Sequence, residues 1–273
     1  MTDMPRPPAP QPTAAPHVRY AQEGGVAELV LEHGARRNAL TLAMWQALPR
    51  LVARAEKARS VLGLVLRGAG AHFCAGADIT EFDALTRAPA RRAAYRAAVA
   101  AGSAALDACA KPVVAAIEGD CMGGGVAVAL ACDYVVAGAG ARFCLPPARL
   151  GLVYPPEDAR RLMLRVGAAR ARHLLWQARE FSAAEALAWG LIDARAPKAK
   201  ARAAALAELA HSEKLSQWSI RASKRMLRLL LAEPSAAQRK ALAALNAESF
   251  RNPDFVEGVR AFRERRRPDF SFR

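Results

Sequence analysis

Apolar and polar positions alternate over "VAELVLEHG", Val26 to Gly34, the pattern of a half-buried strand, and give way at "LTLAMWQALPRLVARAEK" to apolar residues at helical spacing. "VLGLVLRG" (Val61 to Gly68) and "KPVVAAIEG" (Lys111 to Gly119) read as buried strands, the second with Pro112 confined to its first residues. "GDCMGGGVAVALACD" then opens an apolar helix with three glycines, and "DYVVAG" follows as a further strand. Strands alternating with helices predict an α/β core, placed over 18–198. From about Ala199 the pattern is helical throughout, in "KARAAALAELAHSEKL", "SIRASKRMLRLLLAE" and "PSAAQRKALAALNAESFRN", so 199–273 is expected to be a helical C-terminal region.

Composition narrows the class. A chain of 273 residues that is 53% hydrophobic can bury a sizeable core. Residues 1–17 are proline-rich, with an early Asp3 and no apolar stretch, and predict a disordered tail in place of a signal peptide or membrane anchor. No run is long and apolar enough to predict a membrane span. Cys74, Cys109, Cys121, Cys132 and Cys144 show neither C-x-x-C nor metal-ligand spacing, which fits a reduced cytoplasm and no metal site.

A formal charge of +15 changes the picture further. It points to an anionic ligand, with nucleic acid, an anionic membrane and phosphorylated metabolites as the classes. Against this stands the reading in which arginines merely solvate helix faces, as Arg87, Arg91, Arg92 and Arg96 do at helical spacing. No RNA motif or aromatic interleaving accompanies that stripe, so nucleic acid is not an expected partner.

The glycine cluster carries the chemistry. A helix N-terminus presents unpaired N–H groups and a positive dipole end, and glycine lets a ligand approach without a Cβ in the way. Earlier, "RGAGAHFCAGADITEF" (Arg67 to Phe82) leaves a strand, turns through Gly68, Gly70 and Gly76, and enters a helix near Asp78. Two strand-turn-helix junctions, each offering a backbone N–H, are what stabilising one developing oxyanion requires.

"HFCAGADI", "GDCMGGGVAVALACD", "RFCLPPARLGL" and "FSAAEALAWGLID", in that order, resemble the crotonase or enoyl-CoA hydratase/isomerase family over most of the chain. The resemblance implies a crotonase-like spiral of ββα units with a helical C-terminal region for oligomerisation and active-site cover. It also implies homotrimers or dimers of trimers, and acyl-CoA thioester substrates whose coenzyme A belongs to the substrate and is no separate cofactor. The oxyanion donors then map onto Ala77 and Gly124. Coenzyme A contacts map onto Arg36 and onto the backbone at Ala75, Asp78 and Ile79.

The chain departs from that pattern at two places. In similar hydratases one glutamate stands three residues after the oxyanion glycine and another follows the proline of an "F-x-x-P-E" segment; here those positions hold Ala127 and Pro147. Neither can move a proton, so hydration in the familiar arrangement is not expected. Replacement groups come from "LGLVYPPED": Tyr154, in a segment similar to methylmalonyl-CoA decarboxylase-like members, and Glu157 with Asp158, which also read as a charge pair at a helix N-terminus. Glu118 and Asp120 read as turn or capping groups, His72 as a surface or coenzyme A-proximal residue, and Cys74 and Cys121 as small core residues. Hydration, isomerisation and decarboxylation all remain open, as do a coenzyme A-binding protein without chemistry and an RNA-binding relative.

Overall fold

The computed structural model describes residues 15–231 and 233–271. The expected tail lies outside the described residues as far as position 14, and His17 already begins the first strand. In chain order the elements are β1 (His17–Glu23), β2 (Val26–Glu32), α1 (Leu42–Lys57), β3 (Gly63–Gly68), α2 (Phe82–Arg87), α3 (Pro89–Ala108), β4 (Val113–Ile117), β5 (Asp120–Met122), α4 (Gly124–Leu130) and β6 (Tyr134–Gly138). They continue with β7 (Arg142–Cys144), α5 (Pro156–Gln177), β8 (Phe181–Ser182), α6 (Ala183–Ala188), β9 (Ala194–Ala196), α7 (Ala201–Ser212), α8 (Gln217–Leu230), α9 (Ala236–Ser249) and α10 (Pro253–Arg263). Short 3-10 turns at Gly34–Arg36, Ile79–Glu81 and Pro147–Leu150 join some of them.

The main sheet has the order β1-β2-β3-β4-β6-β9, parallel throughout except for the antiparallel β1-β2 pair. Side chains alternate between its two faces, as the pleat demands. Leu29, Leu31, Leu64, Leu66, Val113 and Ala115 face the larger core with Trp45 and Leu48 of α1, whereas Val65, Val114, Ala116 and Val136 meet Ala201, Ala205 and Leu209 of α7. β2 is therefore buried on both faces and not half-buried as its alternation suggested. The polar position responsible for that alternation, Glu28, sits under α7 and is satisfied there by Arg67 (2.7 Å) and Arg202 (2.7 Å).

Helix α1 forms where Thr41 caps its first turn and Met44, Trp45, Leu48, Val52 and Ala55 make one apolar stripe. Its carbonyl end is closed from outside: the buried Lys111 ammonium donates to the carbonyls of Ala55 and Ala58, each at 2.7 Å. Burial, with Arg221 nearby, holds that ammonium below its ordinary pKa. Pro49 inside α1 deprives the Trp45 carbonyl of its helical donor, and α3 approaches there through Gly102. Among the described residues no helix is long and apolar enough to cross a membrane.

A Cβ at Gly102 would stand 2.8 Å from Cε3 of Trp45 and 3.3 Å from its carbonyl oxygen, so Gly102→Ala must displace the Trp45 ring. We expect about 1–3 kcal/mol of lost stability in urea unfolding. Gly140→Ala, whose Cβ meets only Lys198 methylenes at 3.8 Å, should unfold within about 0.5 kcal/mol of the parent.

Candidate active site

A second, smaller sheet carries the site. β5 runs parallel to β7, β8 pairs antiparallel to β7, and Cys74 bridges to Cys121 in parallel. Segment 73–78 thus lies beside 118–124, joined by Phe73 N–H to the Glu118 carbonyl (2.7 Å), Cys74 N–H to Asp120 (2.9 Å) and Met122 N–H to Cys74 (2.9 Å). On the outer side, Ala75 N–H donates to the Arg37 carbonyl (2.9 Å) and Asp78 N–H to Leu40 (2.9 Å), while Gly123 N–H donates to Cys144 (2.8 Å). Both segments end together at Ala77 and Gly124, and neither of those two amides donates to any group among the described residues.

The three glycines each answer a different constraint. Gly123 has φ 45° and ψ −106°, backbone that side-chain-bearing residues rarely adopt. An ideal Cβ on Gly124 would lie 3.4 Å from the Ala77 nitrogen and 3.2 Å from Cζ2 of Trp45, in the space between the two donors. One on Gly125 would fall 2.6 Å from the Cys74 carbonyl oxygen, so only glycine permits the lateral packing of α4 on the neighbouring segment.

Side chains close around this point. Trp45 forms one wall, with the Tyr95 hydroxyl near its indole nitrogen; neither polar atom makes a hydrogen bond of good geometry. Burial pushes the Tyr95 phenol up to about 12. Ala127, one turn along α4 from Gly124, is buried and apolar. The Tyr154 hydroxyl donates to the Gly123 carbonyl at 3.0 Å. Burial, with the Asp158 charge adding to it, pushes the Tyr154 phenol far above its ordinary value.

The two carboxylates at the start of α5 part company. Glu157, with its side chain 70% exposed, pairs with Arg160 at the surface (3.0 Å). Asp158 points inward, accepts from Arg161 (2.9 Å), and is raised above its ordinary pKa by burial despite Arg161 and Ser103. Asp158 is 2% exposed, so Asp158, and not Glu157, is the buried carboxylate. Sequence spacing does not separate them: both stand in the first turn of α5, and only the packing of that turn decides which one turns inward. Trp45 and Tyr95 carried no comparable signal in the sequence.

The positions assigned to coenzyme A lie on the outer side of the first segment. Arg36 is half-exposed, with Nε 3.9 Å from Asp78; Asp78 accepts from Thr80 N–H (3.0 Å) and starts the 3-10 turn whose first residue, Ile79, is exposed. Because the amides of Ala75 and Asp78 are engaged by Arg37 and Leu40, Ala75 offers a ligand its carbonyl and not its N–H. Glu118 accepts the Ala199 and Ala201 amides and so opens α7. Cys74 and Cys121 are buried, and the Cys74 thiol is pushed up to about 12 by that burial. Pro147 opens the 3-10 turn before Tyr154, and Arg91, Arg92 and Arg96 are exposed along α3.

An enoyl-CoA hydratase/isomerase family model matches residues 21–273. The chain belongs to that family, within the crotonase superfamily. It is 32% identical over 259 residues, 94% of this chain and 98% of the other, to a Rhodobacter capsulatus protein named "Probable enoyl-CoA hydratase". It is 30% identical over 185 residues, 64% of this chain and 66% of the other, to a peroxisomal Delta(3,5)-Delta(2,4)-dienoyl-CoA isomerase of Arabidopsis thaliana. A crystal structure of an enoyl-CoA hydratase/isomerase family protein from Hyphomonas neptunium superimposes with TM-score 0.91 at 40% identity, covering 96% of this chain and all of the other. The parallel sheet flanked by helices is thus the crotonase fold, and acyl-CoA processing is the family's chemistry.

Gly124→Ala keeps the amide but places a methyl between the donors. It should weaken binding of an acyl-CoA analogue by roughly 10-fold or more in calorimetry, while the melting temperature stays within a few degrees.

Proposed function

We propose that the chain holds the carbonyl oxygen of an acyl-CoA thioester between the Ala77 and Gly124 N–H groups and stabilises the enolate that forms beside it. The observation that carries this is the side-by-side ending of two segments in backbone amides with no other acceptor. Removing one such donor typically costs about 2.7–4 kcal/mol of transition-state stabilisation.

Proton handling falls to one carboxylate. Hydration needs water held and protons moved on two sides, and Ala127 and Pro147 supply neither group. Shifting a double bond needs only one base that takes a proton from one carbon and returns it to another. We assign that shuttle to Asp158, the buried carboxylate four residues after Tyr154, whose hydroxyl meets the Gly123 carbonyl, and read the chain as an enoyl-CoA isomerase. Tyr154 stays protonated across the working pH range and is a donor, not a base. Its acceptor, the Gly123 carbonyl, belongs to the same peptide group as the Gly124 N–H, so the contact polarises the donor that meets the thioester oxygen.

A panel of 2-enoyl-, 3-enoyl- and malonyl-type CoA thioesters tests the assignment. Conversion of 3-enoyl to 2-enoyl thioester should be fastest; binding without turnover of any member would leave a coenzyme A-binding protein without chemistry. Asp158→Asn should lower isomerisation by roughly 10²- to 10⁴-fold. The base form is lost as pH falls through the raised Asp158 pKa, so the acid limb of kcat/KM should lie above the ordinary aspartate value of about 3.9 and vanish in Asp158→Asn. Tyr154→Phe should cost about 3- to 10-fold, the worth of one hydrogen bond to the donor peptide.

The same reading takes the exposed apolar side chains of α8 and α10, among them Leu227, Leu230, Phe255 and Phe262, as the surface on which copies associate into trimers or dimers of trimers. Sedimentation should show the parent as an oligomer and Leu227→Asp with Phe262→Asp shifted toward monomer.

A further inference from the structure

Asp120 starts β5, four residues before Gly124, with a side chain only 3% exposed. One carboxylate oxygen accepts from Arg37 Nη1 at 2.8 Å and the other from Arg142 Nη2 at 2.6 Å, and both arginines are more than half exposed. The His72 Nδ1 lies 3.2 Å from the Asp120 amide nitrogen and 3.2 Å from its carboxylate. Burial by itself would raise this carboxyl; the hydrogen bonds from Arg142 and Arg37 outweigh it and hold the group ionised below its ordinary range.

These partners sit on the segments that flank the oxyanion pair. Arg37 belongs to the turn whose carbonyl receives the Ala75 N–H, two residues before Ala77. That turn is strained: Arg37 and Asn38 both have positive φ, 49° and 60°, a conformation that costs on the order of 1 kcal/mol or more for each such residue. Arg142 begins β7, whose Cys144 carbonyl receives the Gly123 N–H, and Arg142 N–H itself donates to Gly119. His72 leads directly into segment 73–78. A single buried charge therefore touches the flanking chain on both sides of the two donor segments, at the end opposite the donors.

We propose that Asp120 is a positioning residue which, by clamping Arg37 and Arg142 across the paired segments, sets the separation and direction of the Ala77 and Gly124 N–H groups. The proposal rests on reading those two amides as the oxyanion donors. With the carboxylate removed, the Arg37 guanidinium loses its counter-ion, Arg142 is left with Glu180 (3.1 Å), the strained Arg37 turn loses its anchor, and the lateral ladder is free to shift. A displacement of about 1 Å at the donors is enough to cost on the order of 10²-fold in rate.

The test uses an aryl-conjugated enoyl-CoA thioester whose absorption moves to the red as its carbonyl is polarised. Bound to the parent it should show the red shift. Asp120→Asn should bind it within about 2-fold of the parent Kd, lose half or more of the shift, and turn over substrate on the order of 10- to 100-fold more slowly with KM little changed. Arg142→Gln, at an exposed side chain that frees only one carboxylate oxygen, should give a smaller loss of the same kind and carries the test should Asp120→Asn not fold. The two losses should be non-additive when combined. A full red shift and full kcat in the folded variants, with only a lower melting temperature, would overturn the proposal. No red shift in the parent itself would instead overturn the donor assignment on which it rests.

Discussion

The site depends on the lateral hydrogen bonding between two short extended segments, 73–78 and 118–124. An extended chain advances about 3.3 Å per residue, so a slip of one residue would carry one amide out of reach of an oxygen held by the other. The pairing contains few bonds, each worth on the order of 1 kcal/mol net. It is kept in register by neighbours on both flanks: the Arg37–Leu40 stretch beside the first segment and β7 beside the second. The main sheet delivers the chain to this place, since β3 leads into one segment and β4 into the other.

Much of the positive charge is engaged inside this architecture. Arg67 and Arg202 neutralise buried Glu28, Arg161 meets Asp158, Arg165 meets Asp193 at 2.5 Å, and Lys224 meets Asp133 at 2.5 Å. A buried carboxylate without such a partner would be protonated or would carry a large desolvation cost. Part of what reads as an arginine-rich surface is therefore a set of counter-ions for acids, Glu28 and Asp158 among them buried, where strands, turns and helices meet, while Arg91 and Arg96 of α3 lie exposed as a solvated stripe would.

How much of this was legible in the sequence follows from element length. β2, β3, β4 and β6 bury four or more residues each, and α1 repeats its apolar stripe from Met44 to Ala55, so periodicity marks them. The strands β5, β7 and β8 have only three, three and two residues. A period of two cannot show itself over so few positions, and a sheet made of them is visible only once distant segments are brought together. The glycine turns were legible because a backbone requirement has a residue-type signature. Asp120 read as a turn group, and Glu157 and Asp158 read alike as candidates at a helix N-terminus, because partners such as Arg37 and Arg142, and the inward face of α5, are fixed by tertiary packing. Glu28 misled for the same reason: a polar letter in a strand signals solvent unless two cations reach it.

The contact between Tyr154 and the Gly123 carbonyl has a consequence for the protein before any ligand arrives. The Gly123 carbonyl is held by the Ala127 N–H (3.1 Å) as well as by the phenol, and half a turn of that peptide would put its oxygen where the Gly124 N–H now points. The phenol adds a second bond, from outside the helix, against that rotation. On the proposed reading of Gly124 as an oxyanion donor, the orientation is set before a thioester binds, which lowers the ordering cost of binding.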